Sequence, residues 1–242
     1  PEQVDVPVEW LISKEYAAER RKQINRQRAE FPGPGSPGSA EPECTTHVTA
    51  ADSEGNVAAI TQTIHELFGS KAMATGTGIL LNNTMQMFDP HPGHPNSVTP
   101  GRRMVSSQSP TIVLRDGRPF MALGAPGGLK IFPIVAQAIV NVIDHGMTLQ
   151  EAVEAPRVWT KGQELEVESA VPEAIRKELS ALGHEVREVL TVGGGMNGVI
   201  FDDESLITGA ACWRADGGPV ALGGGSVASP SRGGFDSARQ IR

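Results

Sequence analysis

The sequence predicts an α+β fold in which stacked β-sheets are covered by helices. Two β-hairpin patterns and a long apolar helix that follows a glycine-rich turn carry this prediction. With 242 residues, 39% of them hydrophobic, the chain is long enough for one large domain with a substantial core.

The first 44 residues differ in character from the rest. Residues 1–30 are expected to contain an amphipathic helix with Ser13 as its N-cap. Residues 31–44 interleave prolines with glycines and have almost no apolar side chains. Such a segment buries too little surface to offset the entropy lost on ordering, so it is predicted to be a flexible linker.

Hairpin patterns occur twice after this linker. Residues 45–52 and 57–64 are β-rich runs joined by a turn that contains Gly and Asn. Residues 111–115 and 119–123 flank an Asp-Gly turn in the same way. Each pattern predicts a pair of antiparallel strands.

Helices are predicted to cover these strands. A glycine-rich turn at 124–128 leads into an apolar helix over 130–145, and a capping-box pattern at 148–151 begins a second helix that ends at Pro156. Further strands are predicted near 165–167, 186–190, 199–202 and 207–211, with a helix over 172–182. Residues 223–242 form a Gly/Ser-rich tail that is predicted to be disordered.

Charge and composition exclude several classes of function. The net charge of -7 argues against a nucleic-acid binder, which has to neutralise phosphates. No run approaches the roughly 20 apolar residues of a membrane span. Two cysteines are too few for a disulfide framework or a zinc site, although a single disulfide stays open. No cofactor or metal is expected, and the Asp89, His91 and His94 group is interpreted as a solvated loop.

Thr45 is the most interesting candidate for chemistry, because it begins a strand directly after the linker. If the peptide bond between Cys44 and Thr45 were cleaved, Thr45 would carry both a hydroxyl and a free α-amine. An α-amine titrates near pH 8, so it can act as a general base for its own hydroxyl. On composition alone, a threonine that simply starts a strand would be the better interpretation.

Several motifs in order favour the catalytic interpretation. They are Thr45-Thr46-His47, Thr61-Gln62-Thr63, Asn82-Asn83, Ser106-Ser107, Ser109-Pro110-Thr111 and the run Gly124-Ala125-Pro126-Gly127-Gly128. Together they resemble the small subunit of γ-glutamyltranspeptidases, which are N-terminal-nucleophile hydrolases. The resemblance runs from about residue 5 to residue 214, and residues 7–21 look like the end of that family's large subunit.

The resemblance implies roles for individual residues. Thr45 matches the nucleophile that autocatalytic cleavage after Cys44 releases, and Thr63 matches a second threonine that assists it. Gly127 and Gly128 match the oxyanion-hole glycines, which agrees with the close backbone approach that glycine permits.

Substrate recognition is also implied by the resemblance. Ser106 and Ser107 match the pair that holds the substrate's α-carboxylate, and the wider implied substrate site also contains Thr61, His65, Asn83 and Met87. Met87 stands where γ-glutamyl enzymes carry an acid that binds the α-ammonium. A thioether cannot neutralise an ammonium, so the sequence leaves open a substrate other than a γ-glutamyl compound.

The implied fold is the αββα sandwich of N-terminal-nucleophile hydrolases, incomplete without most of the large subunit. The implied organisation is the end of the large subunit in 1–30, a linker with the cleavage site in 31–44, the catalytic domain in 45–222 and a tail in 223–242. The large subunit of the same precursor is the expected partner. The family is commonly exported to the periplasm or the cell surface, but the sequence leaves the compartment open.

Three functions are therefore considered. The first is hydrolysis or transfer of the acyl group of γ-glutamyl amides such as glutathione. The second is an acylase acting on other amides, such as a β-lactam side chain or a dicarboxylic monoamide. The third is an inert ligand-binding domain that never matures.

Overall fold

The computed structural model describes residues 7–29, 43–162, 164–202, 206–215 and 217–222. Most of the predicted linker and the whole of the predicted tail lie outside the described residues. Among the residues described, no helix is both long enough and apolar enough to cross a membrane.

Helices and strands alternate along the described chain much as the sequence predicts. The helices are α1 Val8–Leu11, α2 Lys14–Lys22, α3 Ile131–Ile143, α4 Leu149–Glu154 and α5 Glu173–Ala181. The strands are β1 Glu43–Ala51, β2 Val57–Glu66, β3 Thr111–Arg115, β4 Arg118–Gly124, β5 Val158–Thr160, β6 Glu164–Glu168, β7 Glu185–Val189, β8 Asn197–Phe201 and β9 Ile207–Ala211. Short 3-10 turns cover Thr84–Met87 and Gly128–Lys130.

The predicted helix caps are present. The Ser13 side chain accepts a hydrogen bond from the backbone amide of Tyr16 and caps α2, as the sequence predicts, whereas the short helix α1 precedes it. Thr148 and Glu151 form a full capping box at α4, with each side chain hydrogen-bonded to the other's backbone amide. Pro133 lies in the first turn of α3, where no intrahelical donor is lost.

The strands form three sheets. β1 and β2 form an antiparallel hairpin, β3-β4-β8-β9 form an antiparallel sheet, and β5-β6-β7 form a third sheet in which β6 and β7 run parallel. The β1-β2 hairpin packs on β4 and β8, whereas α3 and α4 pack on β4, β8 and β9. The central sheet is therefore covered on both faces.

Alternation along β4 explains this layering. Met121 and Leu123 are fully buried in the hydrophobic cluster that includes α3 and α4. Gly124, one position further on, lies under the ring of His47 in β1, so that a Cβ there would be 2.3 Å from that ring. Successive residues of a strand point to opposite faces, so β4 serves both layers.

Candidate active site

The hairpin register brings Thr45 opposite Thr63. The Thr45 hydroxyl donates to Thr63 Oγ1 at 3.0 Å, and the Thr63 hydroxyl donates to the backbone carbonyl of Cys44 at 2.9 Å. The backbone amide of His65 also donates to Thr63 Oγ1, at 2.8 Å. Thr63 thus joins the hydroxyl of Thr45 to the carbonyl on the other side of the Cys44–Thr45 bond.

A β-bulge lies at the same bond. Cys44 pairs with His65 and Thr45 pairs with Thr63, so Ile64 is the extra residue of β2. His65 has φ of +75°, which is unusual for a residue other than glycine. The backbone is therefore irregular at the predicted cleavage site and regular further along the hairpin.

Thr45 opens into a cavity of about 460 Å³, which it lines together with residues 126–130 and 193–195. Trp159, Lys161 and Arg214 also line this cavity. The structure therefore brings the predicted nucleophile and the two predicted oxyanion-hole glycines, Gly127 and Gly128, to one space.

Two glycine-rich loops meet behind Thr45. Gly127 has φ of +135°, and a Cβ on it would be 2.8 Å from the Cα of Gly193. The backbone amide of Gly194 donates to the carbonyl of Pro126 at 3.0 Å. Residues 193–195 are three consecutive glycines, a pattern that is typical of a turn. These residues line the cavity.

Three of the predicted substrate residues cluster at the end of β2, outside this cavity. His65 Nε2 is 3.0 Å from the Met87 sulfur, and the amide group of Asn83 bonds both the backbone and the carboxylate of Glu66. Gln86 bridges His65 and Glu66. Because the His65 amide also bonds Thr63, this cluster lies next to the threonine pair.

The other predicted substrate residues are placed elsewhere. The Thr61 hydroxyl is 2.7 Å from His47 Nδ1, inside the hairpin. Ser106 and Ser107 lie in the segment before β3, where Ser106 Oγ accepts from the backbone amide of Gln108 at 3.2 Å. None of the three is among the described residues that line the cavity of Thr45.

His47 is a structural member of the site. It is 5% exposed, its Nδ1 and Nε2 are bonded to Thr61 and Thr49, and burial lowers its pKa to about 4. A neutral imidazole is therefore part of the folded state at neutral pH. The base predicted for turnover is the freed amine of Thr45, not this imidazole.

We expect the free energy of unfolding to fall as the pH drops from about 6.5 to about 4. The unfolded His47 takes up a proton below pH 6.5, whereas the folded one resists it, so the loss reaches about 3 kcal/mol at the lower end. Urea unfolding of the wild type and of His47→Gln at pH 7 and pH 4.5 measures this loss of stability. The variant should show a smaller pH difference, and exposed His145→Gln should match the wild type. The same difference in unfolding free energy between pH 7 and pH 4.5 for all three proteins would contradict the lowered pKa of His47.

A buried ionic cluster supports the wall of the cavity. Glu168 and Arg214 form an ion pair in which each side chain is 1% exposed, and Glu168 also accepts from the backbone amides of Arg157 and Val192. The Arg157 guanidinium donates to the carbonyls of Val192 and Gly194. Burial lowers the pKa of Arg157 to about 10, so it stays charged at neutral pH. One carboxylate thus holds Arg214 and the segment at Val192, which leads into the glycines of the cavity.

Replacing Glu168 by Gln is expected to lower the free energy of unfolding by about 3–5 kcal/mol, because two buried guanidinium groups lose their counter-ion. Chemical denaturation at pH 7 measures this change. The matched control is Glu173→Gln on the exposed face of α5, which should change stability by less than about 0.5 kcal/mol. Similar effects for both variants would exclude a stabilising role of the buried pair.

Several residues of the cavity were not singled out from the sequence. Lys130, Trp159, Lys161, Thr191 and Arg214 come from four separate segments. No short motif joins them, since only the packing of α3, β5 and the 191–195 loop brings them together. Arg214 had one indirect signal, the end of the resemblance at that residue.

Comparison with known families identifies the chain. The model of the γ-glutamyltranspeptidase family matches residues 1–222. The chain belongs to the γ-glutamyltranspeptidase family.

Relatives in this family carry two kinds of name. The chain is 52% identical over 96% of its length to the acylase ACY 1 proenzyme of Pseudomonas sp. strain SE83, covering 41% of that protein. It is 36% identical over 85% of its length to the glutathione hydrolase proenzyme of Bacillus subtilis strain 168, covering 38% of that protein. The chain therefore spans about two-fifths of the length of these relatives.

Solved structures of the family confirm the predicted fold. The cephalosporin acylase of Bacillus halodurans matches with a TM-score of 0.75 and 33% identity, over 86% of this chain and 38% of that one. An acivicin-inhibited γ-glutamyltranspeptidase matches with a TM-score of 0.63 and 35% identity, over 69% of this chain and 96% of that one. The chain thus has the N-terminal-nucleophile hydrolase fold, as a partial domain.

Proposed function

We propose that this chain is the catalytic part of a self-processing amidohydrolase or acyltransferase in which Thr45 is the nucleophile. The observation that carries the proposal is the hydrogen-bonded chain from the Thr45 hydroxyl through Thr63 to the Cys44 carbonyl. It is supported by the cavity that Thr45 shares with Gly127 and Gly128.

Maturation follows from this arrangement. The Thr45 hydroxyl oxygen attacks the carbonyl carbon of Cys44, its proton passes by way of a base to the amide nitrogen of Thr45, and the C–N bond between the two residues breaks. Water then hydrolyses the resulting ester, which leaves a carboxylate on Cys44 and a free amine and hydroxyl on Thr45. The Thr63 hydroxyl, bonded to that carbonyl at 2.9 Å, polarises it for attack.

Turnover of substrate uses the same atoms. The freed amine of Thr45 removes the proton from its own hydroxyl, which attacks an amide carbonyl. The backbone amides of Gly127 and Gly128 stabilise the oxyanion, and the leaving amine takes a proton as the C–N bond breaks. Water or an acceptor amine then resolves the ester, so that the acyl group is hydrolysed or transferred.

The acyl donor proposed first is a γ-glutamyl amide such as glutathione, on the grounds of family membership and of the glutathione hydrolase relatives. An acylase acting on an amide without an α-ammonium is the second candidate. It is favoured by the contact of Met87 with His65, because a thioether offers an ammonium no charge. The relative named acylase points the same way.

A large subunit from the same precursor is the proposed partner, as the proenzyme relatives imply. The outer face of the β1-β2 hairpin offers it an apolar surface. Val48 and Ile60 are cross-strand partners there, and they are 54% and 56% exposed. In this proposal, residues of the large subunit cover this face of the hairpin.

Incubation of the complete precursor, followed by intact mass and N-terminal sequencing, tests maturation. A new chain beginning at Thr45 is expected. Turnover of a γ-glutamyl anilide is then compared with turnover of a glutaryl anilide, which lacks the α-ammonium. Preference for the γ-glutamyl compound supports the first candidate, and equal rates or the reverse support the acylase. Persistent full-length protein without turnover would leave the inert binding domain as the correct interpretation.

A further inference from the structure

The cavity beside Thr45 has a cationic lining. Lys130, Lys161 and Arg214 line it, and none of its described lining residues is acidic. Lys130 and Arg214 form ion pairs with the buried carboxylates of Glu166 and Glu168, whereas Lys161 is exposed. A concave site with charge of one sign favours a ligand of the opposite sign.

Two of these cations converge on one aromatic ring. The Lys130 ammonium lies 4.8 Å from the centroid of Trp159, and the Lys161 ammonium lies 5.8 Å from it. Trp159 is half-buried, whereas Lys161 is exposed. An indole flanked by two ammonium groups offers a flat apolar surface beside an anion-binding edge.

The position of Lys130 is fixed from behind. Its ammonium forms a 2.5 Å ion pair with Glu166, which is 5% exposed and also pairs with Arg187. Arg187 also pairs with Glu164, so these four charges balance, and Lys130 contributes hydrogen-bond donors to the cavity rather than a net charge. Lys130 has three N–H donors and uses one on Glu166, so donors remain for a ligand.

The location of this lining indicates which half of a substrate it meets. His65, Asn83 and Met87, the residues predicted to recognise the acyl group, cluster beside Thr63 and do not line the cavity. Lys130 and Trp159 lie in the cavity that Thr45 shares with Gly127. The two sets of residues thus lie in separate places next to Thr45, as expected if one set contacts the acyl half of an amide substrate and the other contacts the amine half.

We infer that this cavity binds the leaving-group half of the substrate, an amine that bears a carboxylate, with Lys130 and Lys161 holding the carboxylate and Trp159 contacting the rest. The inference rests on the proposed function, since it takes Thr45 as the nucleophile. It holds for both candidate acyl donors, because an amino acid or short peptide and a β-lactam nucleus all combine an amine with a carboxylate.

Kinetics on the mature enzyme test this inference with two substrates of the same acyl group. One is a 4-nitroanilide, and the other carries an additional 3-carboxylate on the anilide ring. Lys161→Met is expected to lower the ratio of kcat/KM for the carboxylated anilide to kcat/KM for the plain anilide by about fivefold to tenfold, the size of a partly exposed charge pair. Lys161→Arg should restore the preference, and Lys177→Met on α5 should leave both values unchanged.

Equilibrium binding of the two free amines, 5-amino-2-nitrobenzoate and 4-nitroaniline, provides a readout that needs no turnover. Quenching of tryptophan fluorescence measures the two dissociation constants. Tighter binding of the carboxylated amine, weakened in Lys161→Met, supports a carboxylate-binding site in this cavity even if neither anilide is hydrolysed, and absence of hydrolysis then counts against the proposed function alone. Equal affinities in the wild type, or equal losses for both compounds in Lys161→Met, overturn the inference while leaving the nucleophile of the proposed function untouched.

Discussion

Replacing Thr45 by alanine is expected to abolish both cleavage of the precursor and turnover of any amide substrate. The hydroxyl that attacks Cys44 during maturation is the same one that attacks the substrate, so its removal leaves neither reaction a nucleophile. The expected fall in kcat is roughly 10⁴-fold or more, the size seen when a nucleophile is removed from a hydrolase. Intact mass after prolonged incubation and a continuous anilide assay measure the two effects.

The controls for Thr45→Ala separate chemistry from folding. Thr45→Ser keeps a hydroxyl at the same position and should still be cleaved, at a lower rate. Thr46→Ala changes the neighbouring residue, whose side chain is exposed on the outer face of β1, and should mature normally. Cleavage of Thr45→Ala at the Cys44 bond would disprove the assignment of the nucleophile.

Local sequence signals predicted most of the fold because they reflect local physics. The Gly-Asn and Asp-Gly turns predict both hairpins, and the Thr148 capping box marks the start of α4 within the chain. Ser13 caps α2 as predicted, but the short helix α1 before it was not predicted. A helix of four residues is too short to show the 3.6-residue periodicity from which helices are predicted.

The candidate site was predictable only in part, for a physical reason. Thr45 and Thr63 belong to one hairpin, so their pairing follows from the local register. Lys130, Trp159 and Arg214 reach the same cavity through packing between distant segments, which no spacing in the sequence encodes. For Ser106 and Ser107 the family resemblance implies a role in substrate binding, but neither residue lines this cavity.

The backbone at Gly127 leads to the second large effect. Gly127→Ala is expected to lower kcat by about 10²–10³-fold, the size of losing one oxyanion-hole donor. A Cβ at this position would be 2.8 Å from Gly193 Cα and 3.0 Å from Gly194 N, both backbone atoms, so the two loops must move apart. The backbone also has φ of +135°, which a residue with a Cβ rarely adopts.

This effect should appear in stability as well as in catalysis, because Ile131 and Val192, which flank the two loops, belong to the buried hydrophobic cluster. Gly93→Ala is the matched control, since Gly93 also has positive φ, +86°, but has open space around its Cβ position. It should carry the backbone strain without the loss of kcat. Active-site titration with an irreversible acylating inhibitor then shows whether Gly127→Ala still presents a mature Thr45. Full titration with slow turnover locates the defect in stabilisation of the oxyanion, whereas wild-type kcat in Gly127→Ala would remove this loop from the reaction.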